Sequence, residues 1–226
     1  MIERNDISIP TIINFAVKPN KYKLYLLYNM MNRKIDDRTI LDEFAEKFCK
    51  IIGKYAKYII CSGFVAIANG RTRATEDIDM IMEKIPAKKF IIVHRDLIKN
   101  GFICMQSDDP KNIYDDYLKN GESVRYVINE KGFPPPEMEI KFVKDSLDEE
   151  QLKERIKMPL TGLDIYFSPI DWNIAFKEEL LKTDKDMEDA KHLRIIYSSE
   201  IDEAKVNRIK DRIKKMRLKT NERQNT

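Results

Sequence analysis

Histidine is nearly missing from this chain, with two among 226 residues. Neither His94 nor His192 sits in an HExxH pattern or near a Ser or Cys nucleophile motif. Zinc-peptidase and triad chemistry therefore have no footing, and both are expected to be structural residues on helices. Cysteine is equally sparse. Cys49, Cys61 and Cys104 are scattered, odd in number and without CxxC or Cys/His zinc spacing. That excludes a disulfide framework and a zinc site, and makes a reducing cytoplasm the default expectation. No apolar run approaches the ~20 residues needed to span a bilayer. The opening "MIERNDISIP" lacks the apolar segment of a secretory leader. A dominant charge sign is missing too: 41 basic against 38 acidic residues leave +3. Charge alone demands no nucleic-acid partner, and a basic patch would have to be local. Internal repeats and low-complexity tracts are absent.

What remains is a chain with 35% charged and 42% hydrophobic residues, the profile of a soluble globular protein. Its length suits one sizeable core, or a domain with a helical appendage. Abundant Lys, Glu, Asp, Arg and Ile with few Gln fit a thermophile composition.

Periodicity sets the expected elements. "KYKLYLLYNMMNRK" is compatible with strand or helix. From Thr39, the spacing of Ile40, Leu41, Phe44, Phe48, Ile51, Ile52 and Tyr55 predicts a helix that Gly53 weakens without having to end it. "KYIICSG" predicts a buried strand stopped at Ser62-Gly63, "FVAIANG" a short helix ending at Gly70, and "EDIDMIME" a second strand. "AKKFIIVHRDLIKNG" predicts a helix capped by Gly101, followed by the strand "FICMQ". "ESVRYVINE" and "EMEIKFVKD" form an expected hairpin across "EKGFPPP". Ser146 with Glu149 has the capping-box spacing for the helix that follows. "LDIYFS" predicts a last strand. Three helices are expected to close the chain: Pro169 to about Lys182, Asp184 to Tyr197, and "IDEAKVNRIKDRIKKMR", with a frayed tail. The fold class expected is α+β, a small mixed sheet packed with helices over residues 1–168 (including an extension over 1–37), then a helical region over 169–226.

Two acids, Asp77 and Asp79, interrupt the apolar run "EDIDMIME". Residues two apart on a strand share a face, so these carboxylates point one way and Ile78, Met80 and Met82 the other. Like charges ~6–7 Å apart repel at neutral pH. A divalent cation resolves that cost, and magnesium takes one or two carboxylates with substrate phosphates completing its shell. Solvated acids at a strand end are the plain alternative. The surroundings favour the cation. Ser62-Gly63 is a tight turn ahead of a short helix, where backbone N–H groups cradle phosphate. Arg71, Arg73 and Thr75 supply further phosphate donors.

The run "SGFVAIANGRTRATEDIDMIM" resembles the signature of the DNA polymerase beta-type nucleotidyltransferase fold, and within it the minimal and AbiEii-like (abortive-infection type) group. That group reads G-G-x-A and then R-x-T-x-D-h-D. Ser62-Gly63 replaces the glycine pair and Ala66 follows one place later than that spacing, while Arg73, Thr75, Asp77, Ile78 and Asp79 fall into place. The resemblance implies a third acid on a later strand. Glu139 in "PEMEIKFV", with Glu137 and Lys141 on its side, is the best match, and Asp164 is a second candidate. It also extends to "YFSPIDWNIAFKEELLKTDKDMEDAKHL". There Lys177 would meet the triphosphate, and Asp186 and Asp189 would be the acids of the next helix.

The function implied is a magnesium- or manganese-dependent nucleotidyltransferase. Asp77, Asp79 and Glu139 would hold metal, and Ser62, Gly63, Arg71, Arg73, Thr75, Lys177 and Asp189 the nucleoside triphosphate. The acceptor hydroxyl stays open: RNA, including tRNA ends, a protein, or a small molecule. A toxin–antitoxin enzyme with an antitoxin partner also fits the resemblance. A reading from another class is a nucleotide- or partner-binding module without turnover. The stretch Lys205 to Lys219 reads as a solvated helix face, with no aromatic interleaving to make a stacking platform.

Overall fold

The computed structural model describes residues 39–72, 77–128 and 136–224, with side chains to 218. "KYKLYLLYNMMNRK", Arg73, Thr75 and most of the "EKGFPPP" turn lie outside the described residues.

Helix α1, Ile40–Ile52, starts at Thr39, whose side chain accepts from the Asp42 N–H while Asp42 reaches back to the Thr39 N–H. Its inner face buries Phe44, Phe48, Ile51 and Ile52. Here the expectation needs correction, because the helix does end at Gly53. Lys54 and Tyr55 bond only three residues back, to Ile51 and Ile52, tightening the last turn. Strand β1, Tyr58–Cys61, passes through the Ser62 turn into α2, Gly63–Ala68. Gly70 follows with φ 86°, a left-handed conformation that glycine adopts at no steric cost. Strand β2, Asp77–Met82, leads to α3, Ala87–Lys99, where Asn100 caps the helix and Gly101 turns out of it at φ 88°.

Strands β3, Phe102–Cys104, β4, Val124–Ile128, and β5, Glu137–Phe142, complete a five-stranded sheet of order β1-β2-β5-β4-β3. The expected β4–β5 hairpin forms, antiparallel. The pairing of β2 with β5 is parallel, so the sheet is mixed. Alternation then sorts its two faces. Ile78, Met80 and Met82 join Met138, Ile140 and Phe142 in the main core, where Phe48 and Phe102 meet edge-on with ring centroids 5.0 Å apart. The other face carries the acids, plus a smaller apolar cluster of Ile59, Ile81, Val143 and Leu152.

Helix α4, Ser146–Lys153, covers that cluster and corrects the capping expectation. Asp145, not Ser146, is the cap, its carboxylate accepting from the Leu147 and Asp148 N–H groups at 2.9 and 3.0 Å. A charged acceptor one residue earlier wins over the hydroxyl. "LDIYFS" is not a strand either. Only Phe167 bridges, parallel to Ile60 and antiparallel to Ile156, and this closes the outer edge of β1.

Helix α5, Ile170–Phe176, continues into a π-helical turn, Lys177–Leu181, and stops at Lys182 with φ 56°. Helices α6, Asp184–Ile196, and α7, Glu203–Gln224, follow. The tail expected to fray is helical to Gln224. Trp172, Ile174, Leu193, Val206, Ile209 and Ile213 belong to the same core cluster as the sheet.

Candidate active site

The parallel register pairs Asp77 with Glu137 and Asp79 with Glu139. Four carboxylates thus stand in two rows on one sheet face, because a parallel pair in register keeps its outward residues side by side. The row through Asp79 continues to Cys61 on β1 and Arg125 on β4. Arg125 directs Nε to the Glu139 carboxylate at 3.1 Å and lies 3.8 Å from Glu137. The expected third acid is therefore beside Asp79, and it arrives with a cation attached. Asp164 stands apart. It is exposed, ion-pairs with Lys157, and its N–H donates to Glu46 at 3.1 Å.

Asp79 sits deeper than Asp77. Burial first, then the negative Glu139 and Asp77, push its carboxyl above the ordinary range, against the Ser62 hydroxyl and the Lys141 charge that favour ionisation. Ser62 takes its place at a backbone cost: φ 65° and ψ −137° lie where only glycine is at ease. Burial likewise raises the neighbouring Cys61 thiol, which is inert as a nucleophile.

Behind Asp79 opens a cavity of about 160 Å³. Its polar lining includes Ser62, Lys141, Lys144 and Lys177, and Phe176, Leu180 and Leu181 form an apolar wall. Lys177 is buried, 2.8 Å from the Asp189 carboxylate and 3.4 Å from Asp186. The π-helical turn begins at this residue, and such turns recur at functional sites. Asp186 also closes a capping box with Thr183 at the start of α6. Arg71 reaches the same helix, pairing with Asp189 and Glu188 and donating to the Lys185 carbonyl at 3.0 Å. Asp189 thus ties the segment leading towards β2 to the lysine that lines the cavity.

Several participants were not singled out from the sequence. Arg125, Lys144, Asp148, Gln151 and Asn173 surround Asp79 or its cavity through long-range pairing that no local pattern announces. The histidines hold structure: His94 Nδ1 meets the Tyr126 hydroxyl at 2.8 Å, and His192 Nε2 meets the Asn69 carbonyl at 2.8 Å.

Among the described residues, no three His, Cys, Asp or Glu side chains converge closely enough to hold an ion by themselves. The donor set is still of the right chemistry for a hard cation: carboxylate oxygens on one sheet face, with Asp79 raised in part by like charge. Magnesium needs only one or two carboxylates when phosphate oxygens supply the rest.

No family model matches the chain, and no curated protein matches it. Among solved structures it is similar to an aminoglycoside nucleotidyltransferase, the antibiotic-resistance factor ANT(2'')-Ia, with a TM-score of 0.50 and 12% identity, over 81% of this chain and 96% of that one. At that identity the likeness shows the fold: a mixed sheet with helices of the nucleotidyltransferase type.

Proposed function

We propose that this protein is a nucleotidyltransferase that moves a nucleoside monophosphate from a nucleoside triphosphate to an acceptor hydroxyl. One observation carries the reading. The register of β2 and β5 sets Asp77, Asp79 and Glu139 on one sheet face, beside a lysine-lined cavity that opens at the Ser62 turn.

In this reading the triphosphate lies over Ser62-Gly63 with its leaving end towards Lys141, Lys144 and Lys177. Asp77 and Asp79, with Glu139, would hold magnesium or manganese, whose positive charge offsets the phosphate oxygens when bound. The acceptor oxygen forms its bond to the α-phosphorus as the bond from that phosphorus to the β-bridging oxygen breaks. Pyrophosphate leaves and the acceptor proton passes to Glu139. The lysines stabilise the charge on the departing end, and Arg125 fixes the direction of Glu139. Arg73 and Thr75 complete the phosphate donors in the proposal. The motif resemblance alone supports an AbiEii-like assignment, an RNA or protein acceptor and an antitoxin partner.

A second reading, a binding module without turnover, draws on the Arg125–Glu139 pair, which occupies the third acid. Calorimetry with each triphosphate and magnesium, on wild type and Asp77→Ala/Asp79→Ala, tests the site, and equal binding by both removes it. Labelled triphosphate incubated with RNA or lysate separates the two readings. Bound nucleotide without transferred label favours the module.

A further inference from the structure

At the opposite end of β1 and β2 from Ser62 lies a second, open cleft of about 430 Å³. Helix α4 stands between the two. Asp148 and Gln151 face the Asp79 cavity, and Glu149, Leu152 and Lys153 face the second cleft. From Asp79 to Glu83 the strand advances roughly 13 Å, so a ligand here does not overlap the carboxylates.

The cleft gathers Lys57, Lys84, Lys153 and Arg155 against two acids, Glu83 and Glu149, over an apolar floor of Val143 and Leu152. The acids do not cancel the bases. Glu83 accepts the backbone N–H of Lys57 at 2.7 Å, and among the described residues no carboxylate ion-pairs with any of the four cations. This contrasts with α7, where Lys205, Lys210, Arg212 and Lys214 all have acidic partners. Arg155 is half-buried and fixed, its guanidinium stacked 4.2 Å from the centre of the Tyr166 ring. A held guanidinium forfeits little freedom on binding, and its planar donors match phosphate oxygens.

We propose that this cleft is a separate binding site for a phosphate-bearing ligand, with Arg155 as the fixed anchor and Lys57, Lys84 and Lys153 as the surrounding charges. Two sources present that chemistry: the backbone of a nucleic acid, or a free polyphosphate compound. The site stands independently of catalysis at Asp79.

The test uses the full chain with two probes, a short fluorescent single-stranded RNA and inorganic tripolyphosphate. Lysine acetylation read by mass spectrometry supplies the local measurement. Lys57, Lys84 and Lys153 are expected to be protected by at least one probe, while exposed Lys88, Lys89 and Lys99 on α3 are not. Lys84→Glu/Lys153→Glu is expected to weaken binding of that probe by about ten-fold or more at low salt and, for RNA, to flatten its salt dependence. Protection and weakening with RNA assign a nucleic-acid backbone, and with tripolyphosphate alone a free polyphosphate. Equal acetylation with and without both probes, or unchanged affinities in the variant, overturns the proposal. Asp79→Asn is expected to leave protection of the cleft intact, so failure of the nucleotidyl-transfer reading and failure of this one are told apart.

Discussion

Ser62 carries a conflict between backbone and side chain. Its dihedrals favour glycine, yet its hydroxyl favours the ionised form of the Asp79 carboxylate. Ser62→Gly is expected to raise stability by about 1 kcal/mol or more through relief of strain, while weakening triphosphate binding in magnesium. Ser62→Ala keeps the strain and loses the hydroxyl, so it should melt below Ser62→Gly. Thermal unfolding of the three proteins checks the order. Asp79 itself is destabilising when ionised. Its folded carboxyl is raised above the ordinary 3.8, first by burial, so the folded chain holds that proton longer than the unfolded one. Stability contributed by the protonated form is therefore lost as pH rises from the ordinary value through the raised one. Without divalent ions, Asp79→Asn is expected to melt above wild type at neutral pH, with the gap closing as pH falls towards 3.8. No gap at neutral pH would show that Asp79 is not held at a cost.

The elements around the site lean on one buried pair. Lys177 and Asp189 are both fully enclosed and 2.8 Å apart, with Arg71 on the far side of the same carboxylate. Asp189→Ala removes the shorter of the two carboxylate contacts of Lys177, leaving Asp186, and leaves Arg71 with Glu188 and the Lys185 carbonyl. Because Lys177 is buried, the change is expected to destabilise by about 3 kcal/mol, read by urea unfolding. A loss under about 1 kcal/mol would mean that the pair is readily replaced by solvent. The helices themselves were legible in the sequence, because a 3.6-residue apolar period depends only on near neighbours. Residues such as Phe44, Phe48 and Ile52 carried it for α1. Their ends were less so. The stop at Gly53 and the shift of the cap from Ser146 to Asp145 turned on competition between adjacent groups that a pattern does not rank. The π-helical turn at Lys177 gave no signal at all.

Across the whole molecule, the decisive event is the insertion of β5 between β2 and β4. It carries Glu139 to Asp79 and sets Arg125 on its other side. Because the Arg125 side chain is 46% exposed, the pair is of the surface kind. Arg125→Ala is expected to change stability by less than about 1 kcal/mol while tightening manganese binding, measured by electron paramagnetic resonance. Unchanged manganese affinity would remove Glu139 from the ligand set. Within the candidate site, the sequence alone determined that Asp77 and Asp79 share a face, that Ser62-Gly63 ends a strand, and that Glu139 lies on the polar side of its own strand. Alternation and turn chemistry are local, so neighbours in sequence suffice to specify them. Only the tertiary structure decided which strands pair, and with what register. That choice brought Glu139 rather than Asp164 beside the acids and gave it Arg125, and helix packing enclosed Lys177 with Asp189. Strand order is settled by burying the main apolar face together with the small cluster of Ile59, Ile81, Val143 and Leu152 on the other, a condition on residues far apart in the chain.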